Sequence, residues 1–261
     1  WGFNQDTLYV RWYRLSPLVG RGYPLQGTIT RLFRSSGANY SPAILALNPL
    51  LYYKMDGNTT TFADSSTTGN TATGSASGIT YQQPSLLSGA TPGYSIATTA
   101  AGYVSSPRLA AMDGAYTAIV IFKCSSLAAS SVLFHKGDNG IGGQQGHHIY
   151  IEATTGKLRV RHFNGSWSDL GTWNAITAVN EKVWMAVVYD GATSFKVYKN
   201  GAFVQEITLP NAFVSNTQPL SISGVRTSGA VGGGMAGNHD EFVWFNYQLT
   251  GGQLAALFEE S

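Results

Sequence analysis

The sequence predicts an all-β fold, an antiparallel sandwich of two sheets. Two observations carry this. The stretch Trp184 to Leu209, WMAVVYDGATSFKVYKNGAFVQEITL, writes three short strands separated by Asp190-Gly191 and Asn200-Gly201. Both dipeptides accept the positive φ angles of tight hairpin turns. The 261 residues also include 31 Gly, 14 Tyr and 12 Phe, a composition that suits many strands and many turns.

The remaining elements follow in order. Residues 7–15, TLYVRWYRL, alternate as a strand, and residues 26–34, QGTITRLFR, offer a second. Pro17, Gly20, Gly22 and Pro24 interrupt the pattern between them. The polar stretch Ser35 to Asn39 reads as a linker, so the chain divides into an N-terminal β arm, residues 1–40, and a main domain, residues 41–261. Two strands are marginally stable alone, so the arm is expected to pack on the main domain, a second copy or a larger assembly.

In the main domain, residues 42–48 suit a short helical turn before Pro49, and Leu50 to Met55 reads as a strand. Residues 57–80 are a long polar run of Gly, Asn, Thr, Ser and Ala; a loop of that length inside a compact domain is functional or pinned by something. Short strands are expected within Tyr94 to Ser105, at Tyr116 to Cys124 and at Val132 to Lys136. His148 to Ala153 and Leu158 to Phe163 pair around Thr155-Gly156, and Asn164-Gly165 leads to Trp167 through Trp173. After the meander come Leu220 to Val225, a Gly-rich loop at 229–237 and Phe242 to Phe245. Thr250 to Phe258 closes the chain as a short helix, with Thr250 as its N-cap.

Charge and cysteine content narrow the function classes. Only 11% of residues are charged, so solubility rests on Ser, Thr, Asn, Gln and Gly. Residues 1–40 carry Arg11, Arg14, Arg21, Arg31 and Arg34 against Asp6 alone. That is either a solvated face or a docking surface for an acidic partner; no nucleic-acid motif accompanies the arginines, and nucleic acid is not expected as a partner. Cys124 is the single cysteine and reads as a buried small hydrophobe. No apolar run reaches the ~18 residues of a membrane span, and no signal peptide is visible. The chain starts at Trp1, as a processed product or a piece of a longer protein would.

The order of these pieces resembles the laminin-G-like, concanavalin-A-like lectin/glucanase jelly roll in its bacterial and phage form, over about residues 42–260. Asn48-Pro49-Leu50-Leu51-Tyr52-Tyr53-Lys54-Met55-Asp56 is similar to the family's opening strand. Ala63-Asp64-Ser65-Ser66 with Gly69-Asn70 resembles its acidic loop, and Tyr116 to Lys123 its long buried strand. Val183-Trp184, Val187 to Asp190 and Tyr198-Lys199-Asn200-Gly201 resemble its Trp and Tyr-x-Asp-Gly signature. Asp240-Glu241-Phe242-Val243-Trp244 through Leu249, with Leu254 to Phe258, resembles the closing strand and terminal helix. At Ile96 to Tyr103 the family's acids are missing, which weakens any ligand role there. The resemblance implies a jelly-roll sandwich with a short C-terminal helix.

The residues bear on hydrolysis, metal binding and sugar binding. Glucanases of the wider superfamily use Glu-x-Asp-x-x-Glu on one strand, and glycoside hydrolysis needs two carboxyls at close range. No such strand exists here, and Asp240 and Glu241, being adjacent, are expected on opposite faces, so no enzyme is expected. Many members of the family hold a structural Ca²⁺ between the acidic loop and the last strand, which implies Asp64 and Asp240 as ligands with Asp56 or Asn70 assisting; the alternative is that Asp64 caps a turn and Asp240 hydrogen-bonds the loop without metal. His147 and His148 point to opposite faces of a strand and cannot share an ion, and the five histidines show no ligand spacing; they are expected at surface or half-buried positions. Sugar binding would use Phe163, Trp167 and Trp173 around the Asn164-Gly165 turn, with Asn139, Gln144 and Gln145 from a Gly-rich loop; the alternative places the tryptophans in the core or in cross-strand pairs.

The expectation is therefore a non-enzymatic binding or structural module, a phage virion component such as a fibre, decoration or tail protein. Its partners would be other virion subunits or a second copy through residues 1–40, and a host cell-surface glycan. A free-standing bacterial lectin or adhesin, secreted or at the cell surface, is the alternative, with a glycoside hydrolase of the same fold, by an unfamiliar carboxyl arrangement, ranked after it.

Overall fold

A computed structural model describes residues 40–261 apart from 88–92, 139–145, 164–166, 172, 211–217, 228–229 and 233. The described residues belong to one compact unit, residues 34–261, and the expected arm strands lie outside the described residues. Along the chain come α1 (Tyr40–Ala46), β1 (Leu51–Tyr53), β2 (Thr61–Phe62), β3 (Ala72–Gly74), β4 (Ile79–Pro84), β5 (Tyr94–Thr98) and β6 (Val104–Ser105). Then follow β7 (Tyr116–Cys124), β8 (Ser131–Lys136), β9 (His147–Ile151), β10 (Leu158–Phe163), β11 (Trp167–Leu170) and β12 (Lys182–Tyr189). The last are β13 (Ser194–Lys199), β14 (Ala202–Thr208), β15 (Leu220–Ile222), β16 (Val225–Thr227), β17 (Ala230–Gly232), β18 (Gly237–Phe245) and α2 (Gly251–Glu259).

Two antiparallel sheets face each other as a jelly-roll sandwich. The first runs β14-β13-β12-β7-β18-β5-β4, with β1 on β18; the second runs β11-β10-β9-β8-β15-β6-β3-β2. A small β16-β17 hairpin stands apart. The predicted meander is β12 to β14. Its Asn200-Gly201 turn has φ of +50° and +75°, as a type I′ turn demands, and a Cβ on Gly201 would sit 3.0 Å from Phe258. The polar run 57–80 carries two short strands, β2 and β3, that the sequence pattern did not reveal.

The two sheets use their faces differently, and this positions the site. On the first sheet, β12 sends Val183, Met185, Val187 and Tyr189 into the core between the sheets, and Trp184, Ala186 and Val188 to the outside. The outer set joins Ile119, Ile121, Val243 and Phe245 beneath Tyr40 and Ile44 of α1 and Leu254 and Leu257 of α2. Apolar residues at every position of a strand are the signature of burial on both faces. Trp184 donates its indole N–H to the Tyr40 hydroxyl at 3.0 Å, which ties α1 to the outer face of β12. Thr250 caps α2 in a reciprocal capping box with Gln253, which stabilises the helix by about 1 kcal/mol.

On the second sheet only the inner face is apolar. Leu133, Phe134, Ile149, Ile151, Leu158, Val160, Leu220 and Ile222 enter the core between the sheets. The intervening residues are mostly polar, Val132 and Tyr150 excepted, the alternation of a sheet with one face outside the core. Among the described residues no helix covers that face.

Candidate functional site

The outer face of the second sheet carries one polar row across all eight of its strands. The register pairs Asp169 with Arg161, Arg161 with His148, and His148 with His135. It continues from His135 to Ser221, Ser105, Thr73 and Thr61. A bulge between Val132 and Phe134 in β8 brings His135 into the row. A second partial row pairs Val132, Tyr150 and Arg159. Directly opposed side chains on one face lie within reach of one another, so the register itself assembles this constellation from separate strands.

Arg161 holds Asp169 with two bonds, Nε to Oδ1 at 2.6 Å and Nη2 to Oδ2 at 2.8 Å. The Tyr150 hydroxyl donates to Asp169 Oδ1 at 3.3 Å, and the Arg161 guanidinium lies 5.3 Å from the Tyr150 ring centre. Arg159 bonds Glu152 Oε1 through Nε and Nη2, and the Gly171 carbonyl through Nη1 at 2.6 Å. At the middle of the row the β16-β17 hairpin lies over His135: the Arg226 backbone N–H donates to His135 Nδ1 at 3.0 Å, and Arg226 Nη2 donates to the Ser105 hydroxyl at 3.2 Å. His135 therefore accepts at Nδ1 and is neutral there.

His148 sits between these two groups. Its ring lies 5.3 Å from that of His135 and 4.8 Å from that of Tyr150. It is 6% exposed, and neither ring nitrogen has a hydrogen-bond partner. Burial first, and then the Arg161 charge, depress its pKa to about 3, so the imidazole is uncharged at neutral pH. Hydrogen bonding by Arg161 holds the Asp169 carboxyl below its ordinary value. Bonds from Thr155 and then Arg159 do the same to Glu152. Both acids on this face are thus held ionised.

Three of the expected sugar-binding residues can be placed. Phe163 and Trp167 are cross-strand partners on the β10-β11 ladder, two residues beyond the Arg161–Asp169 pair. Trp173 is away from the row: it packs half-buried against the core between the sheets, with Lys199 Nζ 5.7 Å from its ring centre. Asn139, Gln144 and Gln145 lie outside the described residues. The row residues themselves were missed. Their signal was the alternation in Leu158 to Phe163, LRVRHF, which puts Arg159 and Arg161 on one face.

Asp64 and Asp240, the two principal expected calcium ligands, are committed to different segments. Asp64 Oδ1 accepts from the Tyr52 and Ser66 N–H groups, and Oδ2 from the Thr68 hydroxyl and Asn70 N–H, all at 2.9 Å. Asp240 Oδ2 accepts from the Ser85 hydroxyl at 2.6 Å, the Leu87 N–H at 2.9 Å and the Leu86 N–H. Asp56 is exposed. Asn70 uses its backbone, donating to Asp64 and accepting the Tyr53 hydroxyl at 2.6 Å. Among the described residues no three His, Cys, Asp or Glu side chains come together to hold a metal. This donor set fits two hydrogen-bonded loops better than one shared ion.

Two sequence expectations need correction. Asp240 and Glu241 do not face opposite sides, because a bulge between His239 and Glu241 breaks the alternation. Both turn to the helix-covered side, Glu241 to the Tyr52 hydroxyl and Asp240 to Ser85–Leu87. The five histidines are not at the surface: all are at most 6% exposed. His147 and His148 do point to opposite faces, His147 to Tyr116, Tyr189 and Phe195 in the interior.

The family model for the concanavalin A-like lectin/glucanases superfamily matches residues 98–255. No curated protein matches the sequence. Among solved structures, a Trypanosoma rangeli sialidase in complex with sialic acid matches with a TM-score of 0.60 at 13% identity, over 82% of this chain and 33% of the sialidase. The chain thus spans about a third of that enzyme's length. Domain 4 of AbnA, a GH43 extracellular arabinanase from Geobacillus stearothermophilus, in complex with arabinotriose, matches with a TM-score of 0.58 at 18% identity, over 80% of this chain and 98% of that domain.

Proposed function

The chain belongs to the concanavalin A-like lectin/glucanase superfamily, and from that premise we propose that it is a non-catalytic carbohydrate-binding module whose glycan lies on the outer face of the second sheet. One observation carries the reading: the polar row from Asp169 to Thr61 spans the sheet face that no helix covers among the described residues. Saccharides are read by side chains that offer donors and acceptors together, beside a ring that supplies apolar area. Arg161, Asp169, His148 and Tyr150 supply that mixture. The arabinanase domain solved with arabinotriose has the same fold over nearly its whole length and supports the reading by analogy alone.

The electrostatics of the face favour binding over hydrolysis. Hydrolysis needs one carboxyl kept protonated as general acid beside a second carboxylate. Asp169 is pulled toward the ionised form by Arg161, and Glu152 by Thr155 and then Arg159. The carboxyls shifted upward, Asp240 and Glu241, lie on the helix-covered side of the other sheet.

The context we propose is the surface of a phage particle, with residues 1–40 attaching the module to other subunits or to a second copy. Its support is the low charge content, the five arginines of that segment and the bacterial and phage form of the sequence motifs. Titration of the full chain with an oligosaccharide panel, with reducing ends assayed in parallel, tests the core of the reading. Binding without new reducing ends is expected. Turnover would overturn the non-catalytic part, and silence across the panel would overturn the whole. Light scattering of the full chain and of a form lacking residues 1–40 tests the attachment role, which requires assembly of the first only.

A further inference from the structure

Resting on the carbohydrate-binding reading, we infer that the saccharide taken by this face is uncharged, and that His148 reads it by donating from one ring nitrogen and accepting at the other. The first ground is that the cations of the face are already answered. Arg161 is clamped on Asp169, and Arg159 on Glu152 and the Gly171 carbonyl. Arg226 is tied to Ser105, and Lys136 turns inward to Asp113 at 3.2 Å. A carboxylate or sulfate reaching Arg161 or Arg159 would have to displace a bound acid and then lie beside it, and like charges at close range repel.

The second ground is the unpartnered imidazole. A neutral ring presents one N–H donor and one acceptor. Both nitrogens of His148 are buried with neither satisfied, a costly arrangement that asks for an explanation in a native structure. A sugar hydroxyl both donates and accepts, so two neighbouring hydroxyls answer both nitrogens. A carboxylate accepts only; it would satisfy the N–H and leave the other nitrogen unmet. Tyr150, its ring centre 4.8 Å away and tilted by 34°, is the aromatic neighbour whose apolar area would flank a sugar ring.

The test is calorimetric titration of the full chain with arabinotriose, cellotetraose and maltotetraose on one side and sialyllactose on the other, repeated with His148→Phe and His148→Gln. At least one neutral oligosaccharide is expected to bind, and sialyllactose at least tenfold more weakly. His148→Phe keeps the ring and loses both nitrogens, so neutral-sugar affinity should fall at least tenfold with no loss of melting temperature. His148→Gln retains a donor and an acceptor and should recover part of that affinity, which a packing role would not predict. Preference for sialyllactose, or unchanged neutral-sugar binding by His148→Phe, overturns the inference while leaving the carbohydrate-binding reading intact. If neither class binds, that reading fails and the inference falls with it.

Discussion

Tyr52 on β1 donates its hydroxyl to Glu241 on β18 at 2.5 Å, tying the first strand of the main domain to the last. The same hydroxyl lies 2.6 Å from Ser41 Oγ at the start of α1. Burial, reinforced by the charge of neighbouring Asp240, holds the Glu241 carboxyl well above its ordinary range; the Tyr52 bond opposes this without cancelling it. Asp240 is itself raised by burial. The β-bulge that puts both acids on one side is what couples them.

The first prediction follows from that upward shift. A carboxyl whose folded pKa exceeds its unfolded value contributes stability that is fully present below the unfolded value, and loses it as pH rises through the folded value. Glu241→Gln keeps an acceptor for Tyr52 and removes the ionisation. The variant should melt above the parent at pH 7–8 and converge with it near pH 4.5. Thermal melts across pH 4–8 measure this; a variant that melts lower at pH 8 contradicts the assignment.

His239 gives a prediction of opposite sign. It faces the core opposite Phe122 and Ile96, with neither ring nitrogen partnered, and burial lowers its pKa to about 3. The unfolded chain therefore binds the proton that the folded chain refuses, and stability present above the unfolded value of about 6.5 is lost as pH falls toward 3. His239→Leu deletes two orphaned polar atoms at similar volume. It should melt above the parent at pH 7, and the gap should widen on acidification by about 1.4 kcal/mol per pH unit. A gap independent of pH would show that the imidazole does not titrate on unfolding.

Asp64 is expected to close its loop without calcium. Its two oxygens accept four bonds from Tyr52, Ser66, Thr68 and Asn70, so the carboxylate already has the donors that a cation would replace. A chelator should leave the melting temperature unchanged, whereas Asp64→Ala should lower stability by about 2–4 kcal/mol. A fall in melting temperature on chelation, reversed by added Ca²⁺, would restore the metal site.

The fold was more legible in the sequence than the site, for a physical reason. Strands and turns are written locally: Asn200-Gly201 takes two positive φ angles because those residues tolerate them, and the unbroken apolar run of β12 records burial on both faces. The polar row is written across eight strands and depends on register. A two-residue turn at Asn164-Gly165 would set Arg161 opposite Ser168. Three residues separate the paired Phe163 and Trp167 instead, and Arg161 meets Asp169. A one-residue slip exchanges the faces of a strand. Bulges erase the same information locally, which is why Asp240 and Glu241 share a side that simple alternation denied them.

The Arg161–Asp169 pair offers the sharpest test of what the face selects. The pair is partly exposed, at 32% and 41% for the two side chains, and exposed ion pairs contribute only about 0–1 kcal/mol to stability. Asp169→Asn should therefore fold as the parent does, with a melting temperature within a few degrees. Its effect on binding should be larger. An amide keeps an acceptor for Arg161 but no charge, so the negative charge that repels an anionic group from this guanidinium is removed. Affinity for a neutral oligosaccharide should fall about tenfold, because a charge-assisted acceptor has become a neutral one. Affinity for sialyllactose should rise, and the rise should shrink between 50 and 300 mM salt as screening increases. Paired titrations of parent and variant read both changes at once. Unaltered selectivity would mean that the glycan does not lie against Asp169, and that the row is a structural feature of the sheet rather than its binding surface.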